Sequence, residues 1–103
     1  MKTKKVLLLE EVAEDLEAGR RFYERKEPGI GEYFFDSLIV DIESLKLYSG
    51  IHVIRFGFYR MLSKRFPFAI YYEPSENLAR VVAVLDMRRN PAWIRKKLSR
   101  RID

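Results

Sequence analysis

Residues 79–94 read ARVVAVLDMRRNPAWI, and the first nine of them predict the central strand of a β-sheet. Both alternating faces of Ala79–Met87 are apolar, which is typical of a strand covered on both sides. The alternation places Val81, Ala83 and Leu85 on one face, and Val82 and Val84 on the other. At Asn90-Pro91 a short basic helix is predicted to begin, because proline is favoured at the first helical position. Its apolar side consists of Trp93, Ile94 and Leu98.

The residues before this strand keep the two-residue period of a sheet back to Gly50. Residues 52–63 predict a strand with a bulge or turn at Gly57, and Phe66–Glu73 predicts a second strand. Pro67 cannot donate a ladder hydrogen bond, so we expect it at the beginning of its strand or at a sheet edge. A turn is predicted at residues 74–77, which read PSEN.

Residues 10–48 have the 3.6-residue period of two amphipathic helices. The first is predicted over Glu10–Lys26, and its apolar side consists of Val12, Leu16, Gly19 and Tyr23. The segment EPGIG at residues 27–31 predicts a stop and a turn. A second helix is predicted from about Gly31 to Tyr48, and its apolar side consists of Phe34, Leu38, Ile42 and Leu45. Together the two helices predict a helical hairpin.

The segment Lys5–Leu9 predicts one further strand. Because it is nearly all apolar, we expect it to be buried on both faces. The predicted order is therefore a β-α-α-β-β-β core followed by a short C-terminal helix. One antiparallel sheet with the helices packed on one face accommodates this order. The predicted fold class is α+β, in a single domain that covers residues 1–103.

The composition excludes several classes of function. The chain has no cysteine and one histidine, which leaves no thiol nucleophile, disulfide or cysteine zinc site. We find no metal-ligand or cofactor motif and expect neither a metal nor a cofactor. His52 is interpreted as a packing or surface residue. The apolar run at residues 6–9 is too short for a signal peptide or a membrane span, so a cytoplasmic location without membrane contact is expected.

The formal net charge of +5 is distributed unevenly. Residues 10–48 contain eleven acidic and five basic side chains, whereas residues 49–103 contain twelve basic and four acidic ones. A basic half is typical of a surface for nucleic acid or for an acidic protein. Ordinary solvated surface charge is the alternative.

Two clusters in the basic half are candidate binding sites. The first comprises the cations Arg60, Lys64 and Arg65, which are interleaved with Tyr59, Tyr71 and Tyr72. Cations beside aromatic rings are suited to bind phosphates and bases. A β-hairpin with a charged tip and no binding role is the alternative. The second comprises Arg88, Arg89, Trp93 and Arg95. The alternative is an arginine that caps helix carbonyls or pairs with Asp86. Since side chains alternate along a strand, at most one of Arg88 and Arg89 can join Arg60 on one basic sheet face. The basic tail at residues 95–101 confers solubility or grips phosphate backbone.

Several short motifs, in this order, resemble the ParE-like branch of the RelE/ParE toxins, often called plasmid-stabilisation proteins. The first half contributes AEDL at 13–16, FYE at 22–24, PGIG at 28–31 and Phe34. The second half contributes Arg60, RFPFAIYY at 65–72, the strand at 81–85, RRNP at 88–91 and Trp93. The resemblance spans nearly the whole chain, and the combination is more specific than any single motif.

The resemblance implies the β-α-α-β-β-β core and a role as the toxin of a type II toxin–antitoxin system. It implies an antitoxin partner, a disordered segment of which folds across the toxin. It also implies growth inhibition by one of two activities. ParE-like members inhibit DNA gyrase, whereas RelE-like members cut messenger RNA on the ribosome without a metal. Self-association as a homodimer stays open.

The residues favour the ParE-like activity. Metal-free RNA cleavage requires cations for the phosphorane and an acid for the leaving oxygen. By resemblance, Phe68 stands where a central-strand arginine is needed and Ile94 where a late tyrosine is needed. A nuclease is the alternative, and a non-toxic relic of the fold is a third hypothesis. The catalytic candidates of the nuclease are Arg60, Lys64, Arg65, Arg88 and Tyr71.

Overall fold

The computed structural model describes residues 3–101, which form one five-stranded sheet with helices on both faces. In chain order the elements are β1 (Lys5–Leu8), α1 (Glu10–Lys26), α2 (Ile30–Glu43), α3 (Leu45–Tyr48), β2 (Val53–Arg55), β3 (Phe58–Leu62), β4 (Phe68–Pro74), β5 (Leu78–Asp86) and α4 (Pro91–Ser99). The strands lie in the order β1-β5-β4-β3-β2. The predicted α+β class is confirmed. In residues 3–101 no helix is long and apolar enough to cross a membrane.

The helical hairpin packs on one face of the sheet. α1 has the predicted bounds, whereas the second predicted helix is divided at Ser44 into α2 and the single turn α3. Gly19 allows the two long helices to approach closely, because a Cβ atom there would lie 2.5 Å from Cε2 of Phe34. Both apolar sides predicted from the sequence face the same core, where Val12, Leu16, Phe34, Leu38, Ile42 and Leu45 are buried.

The predicted strand at residues 52–63 is a two-stranded hairpin, so four strands follow the helices rather than three. β2 and β3 pair antiparallel around the two-residue turn Phe56-Gly57. The φ angles of these residues are 57° and 85°, and positive values at both central positions characterise a type I′ turn. Glycine adopts this conformation freely, but a bulky residue such as Phe56 rarely does. Of the two alternatives predicted at Gly57, a bulge or a turn, the structure shows the turn.

β5 is a central strand, as predicted, but its side chains do not alternate strictly between the two faces of the sheet. Tyr71 of β4 lies opposite Ala83, whereas Tyr72 lies opposite Val81, so Val82 is an extra residue in the ladder. The irregularity reverses the alternation at this point. Val81 therefore packs under the helical hairpin, while Ala83 and its neighbour Leu85 pack on the opposite face. The prediction that these three side chains share one face is wrong.

β1 is an edge strand that pairs parallel with β5, while the other strand pairs are antiparallel. The expectation that it is buried on both faces is wrong, since Leu7 is 50% exposed. The apolar run fits an edge as well as a centre, because Val6 and Leu9 turn towards the core. β1 ends opposite Val81, so no strand within residues 3–101 pairs with the second half of β5 on that side.

α4 lies on the face opposite the hairpin, so the prediction that all helices share one face is wrong. Asn90 caps this helix as its Oδ1 accepts a hydrogen bond from the Ala92 N–H at 2.7 Å. Ile94 and Leu98 are buried against the apolar side chains of β4 and β5. The hairpin already covers one face, and the second apolar face of the sheet requires its own cover.

Candidate functional site

The β2–β3 hairpin presents arginines on the sheet face that α4 partly covers. Arg60 lies directly opposite Tyr71, and Arg55 lies directly opposite Phe58. Opposite residues in an antiparallel pair share a face, and residues two apart on one strand do too. Tyr71 and Phe58 belong to the apolar cluster beneath α4. Arg55 and Arg60 therefore project on the side of the sheet on which α4 packs.

The ring of Phe56, at the turn between β2 and β3, contacts two arginine side chains. The Cζ atoms of Arg55 and Arg95 lie 5.8 and 5.3 Å from the centre of its ring, within cation–π range. The ring lies 6.4 Å from the ring of Tyr71. The turn conformation of Phe56 is strained, and strained residues concentrate at functional sites. We call the group formed by Arg55, Phe56, Arg60, Tyr71 and Arg95 the arginine face.

The positive charge of the arginine face has no acidic counterpart among residues 3–101. The six cations that form ion pairs there are Arg20, Arg21, Lys46, Arg80, Arg88 and Arg101, and the three arginines of this face are not among them. In addition, the Nε atom of Arg60 is buried without a hydrogen-bond partner. A buried donor normally has a partner. The face is therefore suited to an anionic group, carboxylate or phosphate, that arginine binds well.

Tyr71 is the one tyrosine of the candidate set on this face. Its side chain is 1% exposed, and burial raises the pKa of its hydroxyl against the opposing effect of Arg60 and Arg55. The phenol is therefore neutral near pH 7, where it can donate a hydrogen bond but cannot serve as a base. Tyr59 and Tyr72 lie on the other face of the sheet, in the apolar cluster beneath the helical hairpin of α1 and α2.

Arg88 does not join Arg60. Its Nε and Nη2 atoms donate to the two carboxylate oxygens of Asp86 at 3.0 and 2.7 Å, and its side chain also lies beside the hydroxyl of Tyr23. Both contacts raise the pKa of Arg88. Tyr23 packs in the apolar cluster beneath the helical hairpin, on the face of the sheet opposite to Arg60. The expectation of one basic face around Arg60 and Arg88 is therefore wrong, because Asp86 holds Arg88 on the opposite side.

Arg89 and Trp93 form a separate feature between α1 and α4. The Cζ atom of Arg89 lies 3.9 Å from the centre of the Trp93 ring, and Nζ of Lys97 lies 5.4 Å from it. They line a groove whose floor includes Val84 and Leu85, at the uncovered part of β5. The groove differs from the arginine face because its lining also carries acidic side chains, namely Glu14, Asp15 and Asp86.

Lys64 and Arg65 lie in the loop between β3 and β4, with exposed side chains. The loop is fixed by Asp41 of α2, which is buried and accepts hydrogen bonds from the Ser63 hydroxyl at 2.8 Å and from the Lys64 N–H at 3.2 Å. The backbone of this loop is thus held while its two cations project into solvent.

Two buried apolar residues and the basic C-terminal segment complete the set of residues predicted from the sequence. Phe68 and Ile94, which the resemblance aligns with polar positions of a nuclease, are both buried in apolar clusters. Residues 95–101 are not a free tail, because most of them belong to α4 and the guanidinium of Arg101 is paired with Asp15. In residues 3–101 no cluster of acidic or histidine side chains is placed to hold a metal ion.

Sequence reasoning missed Arg55 and Phe56. The signal was present, since a glycine flanked by two apolar strand patterns indicates a hairpin. Recognition of the two-residue turn would have paired Arg55 with Phe58 and placed it on the face of Arg60.

Comparison with known proteins supports the fold. No family model matches the sequence, and no curated protein matches it. Among solved structures, one chain from the "Chromosomal ParDE TA system from P. aeruginosa" superposes with a TM-score of 0.70. The two sequences are 14% identical, and the match covers 80% of this chain and 94% of that one. The predicted RelE/ParE-like fold is confirmed.

Proposed function

We propose that this chain is the toxin of a type II toxin–antitoxin system, that it arrests growth by binding DNA gyrase, and that a cognate antitoxin neutralises it. The fold shared with a chain of a ParDE system supports the toxin–antitoxin assignment. The motif order described above supports the ParE-like branch and, through it, the gyrase target.

The observation that carries a binding function is the unbalanced charge of the arginine face. Three arginines that have no acidic partner within residues 3–101 converge on Phe56 and Tyr71, and one buried guanidinium donor has no hydrogen-bond partner in that part of the chain. Such a group stabilises a complex when an anionic side chain or phosphate enters it. Arg60, Arg55 and Arg95 are the proposed contacts to the target, and Lys64 and Arg65 extend the positive surface along the next loop.

The same face is poorly equipped for catalysis. Cleavage of RNA requires both a proton acceptor for the 2′-hydroxyl and a proton donor for the leaving oxygen. Tyr71 has a raised pKa, Ile94 is apolar, and Arg88 lies on the other side of the sheet. We therefore propose binding rather than cleavage as the mode of growth arrest.

An RNA nuclease of the RelE type is the second candidate. It is favoured by one observation, the position of Arg60 directly opposite Tyr71, which places a cation beside a hydroxyl group. In that case Arg60 stabilises the phosphorane and Tyr71 donates a proton.

Induction of the chain in a bacterial host, with and without the product of the adjacent reading frame, tests the proposal. The expected result is growth arrest that the co-expressed partner relieves. Normal growth under strong induction would instead support the relic hypothesis. Toe-printing of messenger RNA on ribosomes in the same cells separates the two activities, since cleavage is expected only from the nuclease.

A further inference from the structure

The sheet edge at β2 exposes large apolar side chains. Ile51, Val53, Ile54 and Leu62 are each about half exposed or more, with Ile51 72% exposed and Val53 62%. Tyr48, Ile51, Val53 and Leu62 line one groove together. Exposed apolar side chains grouped in this way mark an interaction site.

The same edge offers free backbone groups. β2 is the last strand of the sheet that the described residues form, and none of their strands pairs with its outer side. In a hairpin with a two-residue turn, the pair next to the turn is hydrogen-bonded and the following pair is not. Here Arg55 and Phe58 form the first pair, and Ile54 and Tyr59 form the second. The N–H and C=O groups of Ile54 therefore point outward, where another strand can bind them.

The stretch of chain that forms β2 and β3 carries charge of one sign, and Asp41, which is buried, is the acidic side chain that lines the same groove. Residues 49–72 contain no aspartate or glutamate and four cations: Arg55, Arg60, Lys64 and Arg65. A second copy of the chain would bring equal charges together across the edge, which opposes a symmetric β2–β2 dimer. A nucleic acid would match the charge but would leave the apolar side chains and the free backbone groups without partners. A strand that carries acidic and apolar residues matches all three properties.

We infer that the β2 edge is the docking surface for an extended acidic segment of the neutralising antitoxin, which adds to the sheet as a sixth strand. The inference rests on the proposed function, since it names the surface that the antitoxin occupies. Arg55 lies on the arginine face, whereas Ile54 lies on the face of the sheet that the helical hairpin covers. The added strand is therefore expected to alternate, with acidic side chains beside Arg55 and apolar side chains beside Ile54.

Hydrogen exchange of the full chain tests this inference directly. The Ile54 amide is expected to exchange rapidly in the free chain and to become at least about tenfold slower in the complex with the product of the adjacent reading frame. Amides of β1, at the other edge of the sheet, are expected to change little.

A matched pair of charge reversals gives the second readout. Arg55→Glu is expected to raise the dissociation constant of the complex about tenfold or more, whereas Lys5→Glu, an exposed reversal on β1, should change it less than about threefold. Ile54→Pro removes the outward N–H but none of the hydrogen bonds between β2 and β3, and it should also raise the dissociation constant of the complex.

The outcomes separate the inference from the proposed function. If the partner relieves growth arrest and binds, but Ile54 exchange and the Arg55→Glu affinity are unchanged, the inference is wrong and the toxin assignment stands. Concentration-dependent dimerisation that protects Ile54 without a partner would overturn the inference in favour of a second copy. If the chain neither arrests growth nor binds the partner, both proposals fail.

Discussion

Asp15 of α1 and Arg101 form a buried two-pronged ion pair that closes the uncovered half of β5. Nη1 and Nη2 of Arg101 each donate to one carboxylate oxygen of Asp15 at 2.8 Å. Asp15 also accepts a hydrogen bond from the Val84 N–H at 2.9 Å, and Arg101 donates to the Val82 carbonyl at 3.0 Å. β1 ends before this point, so two side chains satisfy backbone groups that a neighbouring strand would otherwise pair with.

Loss of this ion pair should strongly destabilise the protein. Arg101→Ala leaves the Asp15 carboxylate buried without its partner, and the expected loss in free energy of unfolding is about 3–5 kcal/mol. Glu14→Gln is the control, because Glu14 pairs with Arg21 in solvent and should cost less than about 1 kcal/mol. Urea denaturation measures both variants. Similar losses in the two would show that the buried pair has no special role.

Gly19→Ala should destabilise the protein although alanine favours helices. The added Cβ atom would meet the ring of Phe34, and overpacking of a core costs about 1–3 kcal/mol. Helix propensity alone predicts the opposite sign, a gain of about 1 kcal/mol. The cost should shrink in a Phe34→Leu background, which makes room for the methyl group. A stabilised Gly19→Ala variant would contradict the close approach of the two helices.

His52 should make the stability fall in mildly acidic solution. Its Nδ1 lies 2.5 Å from the hydroxyl of Tyr72, and burial lowers the pKa of the imidazole below 6.5. Because the folded-state pKa is the lower one, its contribution to stability is present above pH 6.5 and is lost as the pH falls through the folded pKa. His52→Asn should flatten this dependence. An NMR titration that gives a pKa of 6.5 or higher for His52 in the folded state would refute the prediction.

Arg60→Ala and Arg88→Ala should differ in their effect on growth. Arg60 belongs to the arginine face, so its loss should raise the inducer level needed for growth arrest about tenfold. Arg88 is held by Asp86 on the other side of the sheet and should leave arrest nearly unchanged. Growth curves over a series of inducer concentrations, with equal protein levels verified by immunoblot, measure the difference. Equal loss in both variants would mean that the two arginines act in one site.

The parts of the fold with a strong period were predictable, and the parts set by neighbours were not. α1 has its predicted bounds because its acidic first turn, its basic last turn and its apolar stripe agree. The exposure of β1 depends on the absence of a strand beside it, which an apolar run does not encode. The extra residue Val82 alters the faces of β5 through its pairing with β4, a contact distant in sequence.

The site was predictable only in part, for a similar reason. Arg60 stood out because cations and aromatic residues alternate around it. For Arg88 the sequence left two interpretations open, and the structure shows the alternative one, in which the side chain pairs with Asp86. Arg101 was interpreted as part of a solvated tail, since its partner Asp15 is 86 residues away in the chain.

A supercoiling assay with purified gyrase tests the central claim, growth arrest by binding of the target, most directly. The purified chain is expected to inhibit ATP-dependent supercoiling of relaxed plasmid, and the product of the adjacent reading frame should restore it. Arg60→Ala should inhibit markedly less than the unaltered chain, and Arg88→Ala should inhibit as well as it does. Unimpaired supercoiling at a large excess of the chain, together with cleavage of messenger RNA on ribosomes, would contradict the account.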